Sequence, residues 1–468
     1  MSYVAGVDSS TQSVKVVVCD IETGEVVRSA RAAHPDGTEV SAQAWWEAYT
    51  SATAEPELLD GVSALAVGGQ QHGMVSLDDG GALVRDALLW NDNRSASDAR
   101  DLIDELGGPS GWADAVGSVP VASMTVSKLR WLARREPDNA ARTSRVVLPH
   151  DWLTWQIGGR RSDPVTDRGD ASGTCYFDAT TNRYRTDLVQ RAFGHDLELP
   201  RIAAPDEVVG ETDAGIAIAA GTGDNMAAGL GLALDQAAAV VSLGTSGTAF
   251  TRSEAQTHDP TGTVAGFADA TGSFLPLVCT LNGARNLVAT AELLGVSLAE
   301  LSALALSAEP GSGGLVYLPY LEGERTPPLP DARGELLGLT LRNLTPANLA
   351  RASIEGVLWS LAYGVQVLQQ QTGPITAITL TGGAAQSEAV RKIAPAVFGL
   401  PIVVTDTFES VAVGAARQAA WAFTGALPAW SVPVLTQHDP TEREQRAAVV
   451  LDERYQKALH EHFPSTRS

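Results

Sequence analysis

The chain has 468 residues, a formal net charge of −22, 44% apolar and 19% charged residues, and three cysteines. This length exceeds a single hydrophobic core and predicts two or three domains. The acidic charge argues against nucleic acid or an anionic membrane as partner, while the scattered cysteines and the lack of an apolar run of about 20 residues predict a cytoplasmic location.

Hydrophobic periodicity in the first half predicts strands interspersed with helices. Strands are expected at 4–7, 14–19, 26–31, 64–67 and 74–77, with a hairpin turn at 21–25. Helices are expected at 42–53, 95–106 and 127–135.

The second half repeats this plan and predicts layered α/β domains, with helices covering the faces of each sheet. Strands are expected at 239–243, 247–251, 377–380 and 401–404. Helices are expected at 285–294, 298–307, 346–371, 387–398 and 413–423, and a charged one at 442–462. The segment that follows Pro428 is expected to be a loop.

Two turns, roughly half a chain apart, have the same construction. Residues 8–13 (DSSTQS) and 242–247 (SLGTSG) each join two predicted strands through small hydroxyl or glycine residues. Such turns expose backbone N–H groups and hydroxyls to phosphate oxygens. They predict a duplicated domain pair that grips the phosphates of ATP, with candidate ligands at Ser10, Thr11, Gln12, Gly244 and Thr245. Lys15 could reach the same phosphates, although an isolated lysine is usually a surface group.

Two aspartates are candidates for the chemistry. Asp224 follows an apolar strand and a Gly-Thr-Gly turn, at the predicted start of a helix. It is either a helix N-cap or a general base for an attacking hydroxyl, with Asn225 beside it as a candidate substrate ligand. Asp8, at the first phosphate turn, is either an Asx-turn residue or a ligand for Mg²⁺, directly or through water.

Two stretches suit a polyol substrate. Residues 68–74 (GGQQHGM) place Gln71 and His72 between glycines, and amide and imidazole groups offer both donors and acceptors to hydroxyls. Trp90 and Asn91 add an apolar face beside hydrogen-bonding groups, as sugar recognition requires. The structural alternative for His72 is a satisfied core residue.

The glycine turn at 381–387 (TGGAAQS) lies between a predicted strand and a predicted helix. Gly382, Gly383 and Ser387 are candidates for contact with the adenosine of ATP. Taken alone, two glycines are also consistent with a simple turn.

In this order, the motifs resemble those of the FGGY carbohydrate kinases, and the resemblance extends to 148–153 (LPHDWL), 172–174 (SGT) and 320–327 (YLEGERTP). It implies two ribonuclease-H-like domains of the actin–hexokinase superfamily that flank an ATP and sugar cleft. The implied domains are a sugar-binding domain at 1–235, a nucleotide-binding domain at 236–430, and a C-terminal loop and helix at 431–468. It also implies ATP and Mg²⁺ as cofactors, Asp224 and Asp8 as catalytic residues, and a homodimer.

Within that family, the chain most resembles the members that phosphorylate the terminal hydroxyl of the ketopentose D-xylulose. Those members typically carry Gly-Gln-Met-His-Gly, where this chain has GQQHG at 69–73, so Gln71 replaces a methionine. Alternatives are a kinase for gluconate, ribulose, a deoxyketose or glycerol, or an ATP-binding protein of the superfamily that transfers no phosphate. Gluconate would require a cation, for which Arg94 is the candidate, and glycerol would require an Arg-Glu pair in place of Gln71 and His72.

Overall fold

The computed structural model describes residues 2–405 and 409–466. It divides into two compact units, each composed of separate stretches of chain. Unit 1 comprises Met1–Ala233, Ser253–Leu275 and Glu409–Val432. Unit 2 comprises Leu234–Arg252, Pro276–Phe408 and Pro433–Ser468. The predicted domain boundaries at 235/236 and 430/431 stay a prediction about family domains.

The strands are numbered in chain order: β1 (Tyr3–Ser9), β2 (Ser13–Asp20), β3 (Val26–Ala33), β4 (Glu39–Val40), β5 (Val62–Gly69), β6 (Val75–Leu77), β7 (Ala87–Leu88), β8 (Arg145–Val147), β9 (Val165–Asp167), β10 (Phe177–Asp178), β11 (Arg183–Tyr184), β12 (Arg201–Ala203), β13 (Val208–Glu211), β14 (Ala217–Ala219), β15 (Thr222–Gly223), β16 (Ala238–Leu243), β17 (Gly247–Thr251), β18 (Ala265–Ala268), β19 (Phe274–Thr280), β20 (Val316–Leu318), β21 (Glu335–Leu337), β22 (Ala377–Thr381), β23 (Ile402–Thr405) and β24 (Val434–His438).

The α-helices are numbered in the same way: α1 (Gln43–Ala52), α2 (Ala96–Glu105), α3 (Pro109–Val116), α4 (Thr125–Arg135), α5 (Pro137–Arg142), α6 (Pro149–Ile157), α7 (Arg168–Ser172), α8 (Thr186–Phe193), α9 (Asp224–Gly231), α10 (Arg285–Leu294), α11 (Leu298–Ser307), α12 (Pro346–Thr372), α13 (Glu388–Phe398), α14 (Ser410–Thr424) and α15 (Glu442–His462).

The two units contain sheets of the same topology. In unit 1 the strand order is β3-β2-β1-β5-β14-β13, where β1, β5 and β14 run parallel and the remaining neighbours are antiparallel. In unit 2 the order β19-β17-β16-β22-β23-β24 has the same sequence of directions. The duplicated α/β fold predicted from the sequence is therefore confirmed.

Both faces of the unit 1 sheet are buried, because successive strand residues point to opposite sides. Ala5 and Val7 of β1 belong to an apolar cluster that also contains Trp45 of α1. Val4 belongs to the opposite cluster, which is filled by alanines of α14 such as Ala412. The sheet is thus the middle layer of three, and its interior strands are shielded from water on both sides.

Helix α14 lies in unit 1, where it packs on β1, β5 and α9, although its position in the chain predicts a place beside the strands of the second half. Its contact with α9 is very close. A Cβ atom on Gly414 would lie 1.8 Å from the carbonyl oxygen of Ala227, so only glycine fits at this crossing.

The strands and helices predicted from periodicity are confirmed to within a few residues at their ends. The expected loop after Pro428 is partly wrong, because Val434–His438 forms the edge strand β24. All five of its residues are exposed. A strand without a buried face does not require the alternation of apolar and polar residues by which strands are recognised in a sequence.

Across the described part of the chain, no helix taken alone is both long and apolar enough to cross a membrane. The bent pair α10 and α11 passes that test by length and composition only.

We predict that Gly414→Ala destabilises the protein by about 1–3 kcal/mol, because the added methyl group overpacks the α9–α14 contact. The sign is diagnostic, since alanine normally stabilises a helix interior by about 1 kcal/mol relative to glycine. Thermal unfolding would measure the change. Gly210→Ala is the control, because its Cβ would meet only Ile218, at 4.0 Å. An unchanged or raised melting temperature for Gly414→Ala would contradict this account of the packing.

Candidate active site

The parallel pairing of three strands in unit 1 brings their carboxyl ends to one edge of the sheet. Gly69, the last residue of β5, is in register with Ser9 of β1 on one side and with Gly223 of β15 on the other. The amide of Gln70 also donates a 3.1 Å hydrogen bond to the carbonyl of Ser9. Asp8 near the end of β1, Gln71 after β5 and Asp224 after β15 therefore lie at neighbouring strand ends.

Asp224 is the first residue of α9, and Gly223 occupies the N-cap position. One carboxylate oxygen of Asp224, Oδ1, accepts 2.8 Å hydrogen bonds from both the backbone amide and the side-chain amide of Asn225. Within the described ranges, no hydrogen bond reaches its second oxygen, Oδ2. The carboxylate is thus held through one oxygen while the other is available as a proton acceptor.

The electrostatics favour a base that titrates near neutral pH. Burial, and then the negative charges of Asp8 and Asp170, together raise the pKa of Asp224 to about 7, while the hydrogen bonds from Asn225 oppose the shift. A carboxylate with this pKa is a stronger proton acceptor than an exposed aspartate.

Asp8 lies within the β1 ladder, and its Oδ1 accepts a hydrogen bond from the hydroxyl of Ser10. Burial raises its pKa to about 6, although Ser10 and Lys15 partly compensate. Lys15 is opposite Asp8 in the β1–β2 register and forms a 2.8 Å ion pair with Glu409. Mg²⁺ prefers hard oxygen ligands such as carboxylates. Asp8 is a buried carboxylate that also feels the negative charge of Glu409, so a cation at this position would be favourable and the residues fit the ion.

His72 has a left-handed backbone, with φ of 68°, which a residue with a side chain rarely adopts. Its Nδ1 lies 2.8 Å from the carbonyl oxygen of Gly173, to which it donates as the N–H partner. Strained residues of this kind concentrate at functional sites, where the surrounding structure fixes them in place.

The aromatic candidate Trp90 is linked to the first phosphate turn, since its indole N–H donates a 2.8 Å hydrogen bond to the hydroxyl of Thr11. Asn91 makes a longer contact, 3.4 Å, with the carbonyl of Gly37. Arg94 is engaged by acids, at 2.9 Å from Asp92 and 2.7 Å from Glu39.

A buried charged cluster, to which sequence reasoning assigns no role, lies next to this site. His150 of α6 lies 2.7 Å from Asp170 and 3.3 Å from Asp151, and Asp167 is 3.9 Å away. Burial lowers the pKa of His150, but the three carboxylates outweigh it and raise the value to about 9, so the imidazole is protonated at neutral pH. His150 stands in the family-like stretch 148–153, which was the only sequence signal for it.

In unit 2, the turns after β16 and β22 lie at the same sheet edge, because these strands are parallel with Ser242 opposite Thr381. This brings together the candidates Gly244, Thr245, Gly382 and Gly383. Thr245 and Gly383 are exposed. Ser387 is the N-cap residue of α13, and its hydroxyl makes no capping hydrogen bond there.

Comparison with known proteins gives consistent results. The model of the N-terminal domain of the FGGY family of carbohydrate kinases matches residues 3–242, and that of the C-terminal domain matches residues 239–423. Xylulose kinase of Streptomyces coelicolor is 44% identical over 90% of this chain and 88% of its own length. Xylulose kinase of Streptomyces rubiginosus is 42% identical over 96% of each. The crystal structure of xylulose kinase from Bifidobacterium adolescentis, 43% identical, aligns with a TM-score of 0.88 over 96% of this chain and 99% of that one.

We predict that kcat/KM rises with pH and is half-maximal near pH 7, because Asp224 must be ionised to accept a proton and burial raises its pKa to about 7. Asp8, with a pKa near 6, acts in the same direction. Asn225→Ala removes one donor to the ionised form and should move the midpoint to higher pH. A pH–rate profile checks both points, and a wild-type midpoint near pH 4 would contradict them.

Proposed function

The chain belongs to the FGGY family of carbohydrate kinases, and we propose that it transfers the γ-phosphoryl group of ATP to the terminal hydroxyl of D-xylulose, giving D-xylulose 5-phosphate. The observation that carries this proposal is the carboxylate of Asp224, which is fixed through Oδ1 and has Oδ2 available beside the sugar-binding candidates. The xylulose kinases that resemble nearly the whole chain support the choice of sugar.

In this mechanism, Oδ2 of Asp224 accepts the proton of the terminal sugar hydroxyl while the hydroxyl oxygen of the sugar attacks the γ-phosphorus. A bond forms between that oxygen and phosphorus, the bond from the γ-phosphorus to the β–γ bridging oxygen breaks, and ADP leaves with the electron pair. His72, Trp90, Asn91 and Asn225 orient the sugar, with Gln71 beside them.

Asp8 would hold Mg²⁺ at the first phosphate turn, directly or through water. The ion, when bound, supplies positive charge that neutralises the phosphate oxygens. The raised pKa values of Asp8 and Asp224 support this assignment, because both acids favour a nearby cation over a second negative charge.

The remaining residues of the proposal bind ATP. In unit 1 the hydroxyls of Ser10 and Thr11 and the side chains of Gln12 and Lys15 face phosphate oxygens, and Lys15 exchanges its ion pair with Glu409 for a phosphate contact. In unit 2 the predicted phosphate ligands are Gly244 and Thr245, and the predicted adenosine contacts are Gly382, Gly383 and Ser387.

The residues present argue against three of the alternative functions. A gluconate carboxylate would need the cation of Arg94, but it is already paired with Asp92 and Glu39. A glycerol site would need an Arg-Glu pair, and this chain has Gln71 and His72 at that position. A superfamily protein that transfers no phosphate would not need a buried carboxylate whose pKa is raised to about 7.

We also propose that the protein is a cytoplasmic homodimer without nucleic-acid or membrane partners. The three free cysteines support the first of these, because a reducing compartment keeps thiols unpaired.

A coupled ADP-release assay over D-xylulose, ribulose, gluconate and glycerol tests the function. We expect sugar-dependent turnover with the highest kcat/KM for D-xylulose. Asp224→Asn should lower kcat by at least about 10²-fold, since general bases typically contribute 10²–10⁴-fold, while ATP affinity measured by calorimetry stays the same.

The matched control is Asp213→Asn, which changes an exposed aspartate of the same unit, 91% exposed at the side chain. Turnover that does not depend on any sugar would refute the kinase proposal. Near-normal turnover by Asp224→Asn would refute the role of Asp224 alone.

A further inference from the structure

A chain of side chains connects the candidate base with the buried charged cluster. Starting from Asp224, the side-chain amide of Asn225 donates to Asp224 Oδ1 at 2.8 Å and also to Gln71 Oε1 at 3.0 Å. Gln71 in turn is close enough to Asp170 for its side chain to lower the pKa of that carboxyl group. Asp170 accepts the 2.7 Å hydrogen bond from His150. Three hydrogen bonds and one looser contact, between Gln71 and Asp170, thus connect a fully buried histidine with the base.

The link between Gln71 and Asp170 is looser than the others. Gln71 Nε2 and Asp170 Oδ1 are both buried, and neither finds a partner in good hydrogen-bond geometry among the residues that the structure describes. Because Asp170 already accepts from His150 through Oδ2, its other oxygen is the one left for the Gln71 amide. The Gln71 Nε2 donor is therefore next to the free oxygen of the Asp170 carboxylate, while Gln71 Oε1 accepts the hydrogen bond from Asn225.

Gln71 has little surface to offer a substrate. The residue is only 3% exposed, and its side chain lies against the backbone of Gly223, where a Cβ atom would be 2.8 Å from Gln71 Cγ. Its Oε1 is already engaged by Asn225. These contacts suit a residue that fixes its neighbours better than one that binds sugar.

We propose that Gln71, with the buried Asp170–His150 pair behind it, is a positioning residue for Asp224. It holds the Asn225 amide in the orientation that occupies Asp224 Oδ1 and so presents Oδ2 to the sugar hydroxyl. This inference rests on the proposed function, since it assigns Asp224 as the base. It also gives the glutamine at position 71, where the resemblance expects methionine, a role in orienting the base.

The test uses two variants. Gln71→Met keeps the length of the side chain and deletes both of its polar atoms. Asp170→Asn leaves one acceptor oxygen for two donors, the imidazole of His150 and the side-chain amide of Gln71. Each single variant should lower kcat for D-xylulose about tenfold, the loss that one hydrogen bond can cause. KM for D-xylulose and ATP should change less than about twofold, because neither residue contacts a substrate.

The double variant decides whether the two residues act through one chain. If they do, kcat of the double variant falls by about tenfold, as in either single variant, because the first substitution already disrupts the interaction that the second would remove. Independent effects would multiply to about a hundredfold and would overturn the proposal. An unchanged kcat, or a rise in KM alone, would also overturn it.

Asp259→Asn is the control for general damage, because Asp259 is 3% exposed in the same unit and its hydrogen bonds go to Thr261 and Val264. We expect it to lower the melting temperature without lowering kcat. If Asp170→Asn fails to fold, Gln71→Met alone decides through its separate effects on kcat and KM. Asp224→Asn, assayed in parallel, separates the proposals: if it is inactive while Gln71→Met is normal, only the positioning role fails.

Discussion

The parallel pairing of β5 with both β1 and β15 is the constraint on which the candidate site depends. It places Gly69 between Ser9 and Gly223, so that the residues following three strands meet at one sheet edge. Those residues include Gln71, His72, Asp224 and Asn225, and Asp8 is the penultimate residue of β1. Ligand sites in α/β folds typically lie at such carboxyl edges, because the strands end there and the loops are free to carry function.

That arrangement concentrates negative charge in a buried place. Asp8, Asp170 and Asp224 interact, and burial raises the pKa of each of them to about 6 or 7. A cation and a proton-donating substrate both relieve this charge, which is the electrostatic logic of a phosphoryl-transfer site. The protonated imidazole of His150 offsets part of the charge from behind and keeps Asp170 in place.

Much of the fold and part of the site could be predicted from the sequence, because strand periodicity and glycine turns are local signals. Such signals also predict Asp224 and His72 as site residues, and their roles stay predictions. Helix α14 could not be assigned to its sheet, since an apolar helix face does not specify its partner, and the fully exposed β24 carries no alternation. The contact between Asn225 and Gln71 joins residues 154 positions apart, and the pairing of His150 with Asp170 likewise arises only in the folded chain.

The claim at the centre of this account is that Oδ2 of Asp224 accepts the proton of the sugar's terminal hydroxyl. A crystal structure with D-xylulose and a non-hydrolysable ATP analogue tests it most directly. The account predicts that the terminal hydroxyl lies within hydrogen-bond reach of Oδ2, about 2.6–3.2 Å, while Asn225 still occupies Oδ1. A sugar bound with that hydroxyl far from Asp224, or a carboxylate whose Oδ2 is taken by another protein group, would contradict it.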